Sequence, residues 1–242
     1  MRIKRLIDIN CDMGEGIGND EAIMPFITSA NISCGYHAGD NFTIKETMLL
    51  SKKYGVHIGA HPSFADKENF GRKEQKKTPA EIYKLVKDQL ILFFKIANEN
   101  KCIVHHVKPH GALYNMAARD AEVAASITQA LKDADANLIL YGLSGSLLIK
   151  EARAAGLKAF NEVFADRTYQ DDGSLTPRTN ANALIEDAQQ AAGQVKKIVN
   201  EKKVTTLSGT QINIEADTVC IHGDGNHAVE IAKAVYDALL NK

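Results

Sequence analysis

Short β-prone runs alternate, almost from end to end of the 242-residue chain, with stretches whose apolar positions recur every three or four residues. The alternation predicts strands at Leu6–Asn10, Ser29–Ser33, Val56–Ala60, Ile103–Lys108, Asn137–Tyr141, Lys158–Glu162 and Thr218–His222. Most of the gaps between them are long enough for one helix, the signature of repeated βα units and a parallel sheet. The sharpest helix start is Thr78-Pro79-Ala80-Glu81, where Thr caps, Pro occupies the first turn and Glu reaches back. Further helices are predicted over 46–54, 120–134, 146–155, 180–200 and 228–240. Ahead of the last strand, VTTLSGTQINIEA reads as a β-hairpin turning at Ser208-Gly209. With no linker, low-complexity tract or repeat, a single domain over 1–242 is expected.

Strands of a parallel sheet covered on both faces should be apolar throughout, and several of these are not. Side chains alternate with a period of two, so Asp8, Asn10 and Asp12 share one face of the first strand while Ile7, Ile9 and Cys11 share the other. The second strand puts Asn31, Ser33 and, if extension persists, His37 in phase. The third aligns His57 with His61, the fourth His106, Lys108 and His110, and the last Cys220, His222 and Asp224. Five strands turning polar groups the same way fit an α/β fold closed as an irregular, TIM-like (β/α) barrel of about seven parallel strands. An open doubly wound sheet is the alternative, but the chain has neither GxGxxG after the first strand nor GxxxxGK[ST].

Charge and cysteine content narrow the partners. Lys and Arg number 29 against 30 Asp and Glu, so no global field favours nucleic acid or an anionic membrane. The basic N-terminus is followed by an apolar stretch broken by Asp8, Asn10 and Asp12, unlike a signal peptide, and no apolar run reaches spanning length. Four scattered cysteines form no CxxC pair, which fits a reducing, cytoplasmic setting.

The candidate chemistry lies at the strand ends. Asn10, Asp12, Glu15, His37, Asp40 and His61 lie at or after the first three strands, and an Asp with two His there could hold a divalent metal or form a hydrogen-bonded polar pocket. Lys108 could hold an anion or a developing oxyanion with His110 exchanging protons, or form an internal salt bridge with an inward Asp. Arg167 and Arg178, in a long loop after the sixth strand, could grip an anionic group, and the amides of Tyr141–Ser146 could form an anion nest. Strand phase thus gives Asp12, His37, His61, Lys108 and His110 as catalytic candidates. Asn10, Glu15, Asp166, Arg167, His222 and Asp224 are candidates for holding substrate.

Seven stretches in one order, DINCDMGEGIG at 8–18, SANISCGYHAGD at 29–40, IGAHPSFAD at 58–66, NFGR at 69–72, VKPHGALYN at 107–115, EVFADRTY at 162–169 and CIHGDGNHA at 220–228, resemble the LamB/YcsF family. The resemblance implies a barrel of the glycoside hydrolase/deacetylase type. It also implies a part in the ATP-dependent opening of 5-oxo-L-proline to L-glutamate, with ATP as its Mg2+ complex and two partner subunits, B and C. Competing readings are a stand-alone metal-dependent deacetylase or amidohydrolase, and a binding subunit without catalytic groups.

Overall fold

The structure, a computed structural model, describes residues 7–240; Leu6, placed in the first predicted strand, lies outside them. Seven parallel strands close into a barrel: β1 (Asp8–Met13), β2 (Ser29–Ser33), β3 (His57–His61), β4 (Val104–Val107), β5 (Ile139–Leu143), β6 (Lys158–Phe164) and β9 (Thr218–His222), with β9 pairing both β6 and β1. The expected barrel class is therefore present, and all seven predicted strands fall on it. The hairpin also forms, as β7 (Lys203–Thr205) against β8 (Gln211–Asn213), with Gly209 at φ 89° in its turn. It leans on the loop after β6, where the Leu207 amide donates to the Tyr169 carbonyl at 2.8 Å.

Helices cover the outside: α1 (Asp20–Ile23), α2 (Asn41–Tyr54), α3 (Pro79–Glu99), α4 (Gly111–Arg119), α5 (Ala121–Ala134), α6 (Leu147–Ala154), α7 (Ala188–Glu201) and α8 (Ala228–Leu239). Thr78 and Glu81 complete the predicted capping box of α3, with Pro79 at its first position. Outward strand residues such as Ile9, Cys11, Ile32, Val107, Leu140, Val163 and Val219 are fully buried beneath these helices. Burying each large aliphatic side chain contributes about 1.5–3 kcal/mol, and this layer carries the barrel's stability. Among the described residues no helix is long and apolar enough to cross a membrane.

Three boundaries depart from expectation. Helix α2 starts earlier than Glu46, because Asp40 caps it, its carboxylate accepting the Thr43 amide at 2.8 Å. Helix α7 starts later than Asn180: the stretch before it folds back on the β6 loop, the Ile185 amide donating to the Asp166 carbonyl and the Thr168 amide to the Ala183 carbonyl. Helix α4 begins immediately after the Lys108-Pro109-His110 turn, where the polar phase suggested only a strand end and loop.

The inward face is polar well below the mouth of the barrel. The Asp8 carboxylate accepts from Thr28, Ser29 and Thr218 hydroxyls at 2.6, 2.7 and 2.5 Å. One layer up, Asn10 donates to Thr218 at 2.7 Å, and Asn31 donates to Asn10 and Asp12 at 2.7 and 2.8 Å. His106 reaches across to the Asn31 side-chain oxygen at 2.8 Å and stacks on Tyr141 at 4.2 Å between centroids. It has room because β3 carries Gly59 opposite it; a Cβ there would stand 2.1 Å from His106 Nε2.

Candidate active site

At the C-terminal ends of the strands a cavity of about 860 Å³ opens, with Asp12, His61, Lys108, His110 and His222 in its wall. Lys108 stands at the centre. Its ammonium lies 2.8 Å from Asp12 Oδ1, 3.0 Å from Glu162 Oε1 and 3.0 Å from Cys220 Sγ, and the residue is only 2% exposed. Burial alone would push this amine down; Asp12, Cys220 and Glu162 more than reverse that and hold it well above the ordinary lysine value. Asp12 is likewise buried, yet His61 and Lys108 overcome desolvation and hold its carboxyl well below the usual carboxylate range. The internal salt bridge is thus the arrangement adopted by Lys108, in a doubled form.

His61 and His110 are oriented by backbone carbonyls. His61 Nδ1 lies 2.7 Å from the Lys108 carbonyl and His110 Nε2 lies 2.9 Å from the Phe70 carbonyl. A carbonyl only accepts, so each of these nitrogens carries a proton, and the contact between the two rings is left to their other nitrogens. Those two nitrogens, His61 Nε2 and His110 Nδ1, face each other at 2.9 Å, with Asp12 Oδ2 a further 3.3 Å from His61 Nε2. Phe70 is held at φ 54°, a left-handed conformation that costs a non-glycine residue energy and aims its carbonyl at His110. Gly71 beside it permits the close passage, since a Cβ would meet Ser63 Oγ at 2.1 Å.

His37 reaches this cluster by a different route from the one predicted. Extension ends at Ser33, and the loop after β2 returns His37 to stack on His110, with ring centroids 3.9 Å apart. Its Nε2 lies 3.2 Å from Glu15 Oε1 while its Nδ1 is buried without a partner. Burial pushes His37 and His110 well below the ordinary histidine value and raises Glu15 well above the usual carboxylate range, the Asp12 charge adding to the last shift.

The remaining candidates divide. Asp166 fixes His222, accepting from its amide at 2.9 Å and facing its Nδ1 at 2.9 Å. Asp224 does not continue β9 but lies in the following loop, paired with Arg72 and 3.9 Å from Arg178. Asn10 is fully buried one layer beneath the cavity, its amide engaged by Thr218 and Asn31. Arg167 is turned inward to staple its own loop, donating to the Thr176 and Ala183 carbonyls at 2.6 and 3.3 Å. The anion nest after β5 is closed: the Ser144, Gly145 and Ser146 amides donate to Glu162 O, Asn161 Oδ1 and Leu143 O. Asp40 caps α2 and takes no part in the site.

Glu162 is the residue that strand phase overlooks. Its side chain is wholly buried against Lys108, and the signal for it is a charged residue embedded in the apolar run Val163 and Phe164 continue. Tyr114, from α4, buries its hydroxyl next to the same carboxylate.

The LamB/YcsF family model matches residues 7–242. The chain belongs to the LamB/YcsF family. A Staphylococcus carnosus protein named as the A subunit of 5-oxoprolinase is 50% identical over 238 residues, covering 96% of this chain and 94% of the relative. A protein of the same name from Shouchella clausii is 52% identical over 232 residues, covering 94% and 92%. Among solved structures, a lactam utilization protein from Thermus thermophilus superposes with a TM-score of 0.89 at 40% identity, covering 97% of this chain and 96% of that one. The LamB/YcsF family match spans every segment that builds the cavity.

Proposed function

We propose that this chain is one component of an ATP-dependent 5-oxoprolinase, acting with two further subunits, B and C, to open 5-oxo-L-proline to L-glutamate. The observation that carries the reading is the full-length likeness to proteins named as the A subunit of 5-oxoprolinase, joined to a buried acid–base cluster at the floor of a solvent-open cavity. The substrate is a small, polar anion, and the cavity wall includes Arg119, Lys150 and Arg178, which suit its carboxylate.

A five-membered lactam resists water because amide resonance deactivates its carbonyl. ATP, as its Mg2+ complex, supplies the driving force by phosphorylating the carbonyl oxygen, with ADP and then phosphate as products. The closed nest after β5 gives the nucleotide no amide cradle in that turn, so the reading assigns this chain the ring-opening chemistry rather than a conventional phosphate loop. Asp12, held ionised, and His61 Nε2, held toward the cavity by the Nδ1 contact, are placed to orient a water and draw off its proton. Lys108 offers a fixed positive charge beside the oxygen of a tetrahedral adduct. His222, clamped by Asp166 and with a ring nitrogen within 4.8 Å of an Asp12 oxygen, is placed to give a proton to the lactam nitrogen as the C–N bond breaks.

The test is release of glutamate and ADP from 5-oxoproline and ATP, measured with this chain and subunits B and C, singly and together. Both products should appear in step only in the full mixture, and Asp12→Asn in this chain should lower kcat by about 100-fold or more. Undiminished turnover without this chain, or glutamate released without ATP, would overturn the reading; the second result would favour a stand-alone amidohydrolase.

A further inference from the structure

The contact between His61 and His110 fixes a proton count. Each ring donates its outer N–H to a backbone carbonyl, His61 Nδ1 to Lys108 O at 2.7 Å and His110 Nε2 to Phe70 O at 2.9 Å. Their remaining nitrogens, His61 Nε2 and His110 Nδ1, stand 2.9 Å apart, a hydrogen-bond distance, with the ring planes at 81°. Two neutral rings with those outer protons would oppose lone pair to lone pair, and both residues are buried. A hydrogen bond there needs one more proton, so the two rings together carry three protons on four nitrogens and one positive charge. The same rings do not suit a metal ion. His37 and His110 stack with planes 6° apart and centroids 3.9 Å apart, so their in-plane lone pairs do not converge on one point.

We propose that His61 is a standing imidazolium that donates its Nε2–H to His110 Nδ1, and that His110 is the positioning residue that keeps the proton there. Three observations place the extra proton on His61 rather than on His110. Asp12 Oδ2 lies 3.3 Å from His61 Nε2, whereas the carboxylate oxygen facing His110 Nδ1, Glu15 Oε1, is 3.7 Å away. Burial, then the charges of His37 and His61, push His110 well below the ordinary histidine value, and burial with the Asp12 charge raises Glu15 well above the usual carboxylate range, so that side of the pair favours neutral forms. Finally, Asp12 and Glu162 present two carboxylates to the single Lys108 ammonium, at 2.8 and 3.0 Å. A cation at His61 supplies the second positive charge, without which one buried carboxylate would stay uncompensated.

The part this cation plays in catalysis rests on the 5-oxoprolinase reading; the proton itself does not. Of the two groups set around the attacking water, Asp12 takes the proton and His61 orients that carboxylate. Burial alone would raise Asp12; the His61 charge and Lys108 reverse this and hold it ionised, ready to accept. His110 acts one step back, as the acceptor that turns the His61 N–H.

The test is nitrogen NMR of the full chain, with isotopically labelled histidine, near neutral pH. His61 Nδ1, His61 Nε2 and His110 Nε2 should each carry a proton, and scalar coupling across the N–H···N bond should join His61 Nε2 to His110 Nδ1. His110→Phe, which fills the space of the ring without offering an acceptor, should abolish the coupling. His110→Asn, whose amide oxygen can take the place of Nδ1, should keep the His61 Nε2 proton in view. With subunits B and C added, His110→Phe should lower kcat roughly 10–100-fold while KM for 5-oxoproline changes little, and His110→Asn should recover most of the loss. Circular dichroism checks that each variant folds, and the wild-type spectrum decides the matter if His110→Phe does not. A wild-type spectrum with both facing nitrogens unprotonated, or with the proton on His110 Nδ1 and none on His61 Nε2, would overturn the proposal. So would parental kcat in folded His110→Phe. The spectrum needs neither ATP nor partner subunits, so its failure is distinguishable from failure of the 5-oxoprolinase reading.

Discussion

Replacing Lys108 by Met tests whether the buried charge at the centre of the site organises the barrel. Its ammonium lies 2.8 Å from Asp12 and 3.0 Å from Glu162. At an effective dielectric of about 20, each contact represents roughly 6 kcal/mol of gross attraction. Desolvation of three ions offsets most of this, so the pairs add little net stability while all three charges are present. Removing the lysine alone is another matter. It strands two carboxylates, one of them wholly buried, and should destabilise the chain by about 3–5 kcal/mol. Lys108→Met combined with Glu162→Gln removes one stranded charge and leaves Asp12 facing His61 at 3.3 Å. The double variant should therefore recover at least about 2 kcal/mol relative to Lys108→Met. The chain has no Trp, so urea unfolding is best followed by far-ultraviolet circular dichroism. A Lys108→Met variant within about 1 kcal/mol of the parent, or a double variant less stable than the single one, would refute the reasoning.

Three further outcomes follow from the barrel interior and its helices. Gly59→Ala puts a Cβ 2.1 Å from His106 Nε2 and should cost about 3 kcal/mol or more in the same unfolding assay. Burial, with the charges of His105, His57, Lys108 and His61, holds His106 well below the ordinary histidine value. The unfolded chain protonates this residue near pH 6.5 while the folded one does not, so stability falls as pH drops below about 6.5, by up to roughly 1.4 kcal/mol per pH unit from this group. His106→Gln should flatten the measured slope by that amount between about pH 6.5 and 5; an unchanged slope would rule the assignment out. Thr78→Ala removes the hydroxyl cap of α3 and should lower stability by about 1 kcal/mol in thermal unfolding, with turnover unchanged.

What can be read from the sequence is what local rules decide. Period-two phase places Asp12, His61 and Lys108 on one face because strands β1, β3 and the extended continuation of β4 keep that phase to their ends. Thr78, Pro79 and Glu81 announce α3 because a capping box is contained in four residues. The losses occur where a distant partner decides. His37 arrives through a loop, so no periodicity reports its stacking on His110. Arg167 looks like an anion clamp until the chain brings the carbonyls of Thr176 and Ala183 against it. Helix α4 is short and follows a proline turn, so its pattern is indistinguishable from a loop. Glu162 is hidden because a carboxylate inside a strand explains itself only once the lysine from another strand is beside it.

The hydrogen-bonded interior from Asp8 through Asn10 and Asn31 to His106 also sets the terms on which the barrel can be redesigned. Each donor there answers one acceptor, so an apolar replacement at any single position leaves its neighbour without a partner in a space water cannot readily enter. These positions will exchange only as sets. A library randomising Asn10, Asn31 and His106 together should yield folded barrels that the three separate libraries do not, while the outward layer of Ile and Val accepts changes one at a time.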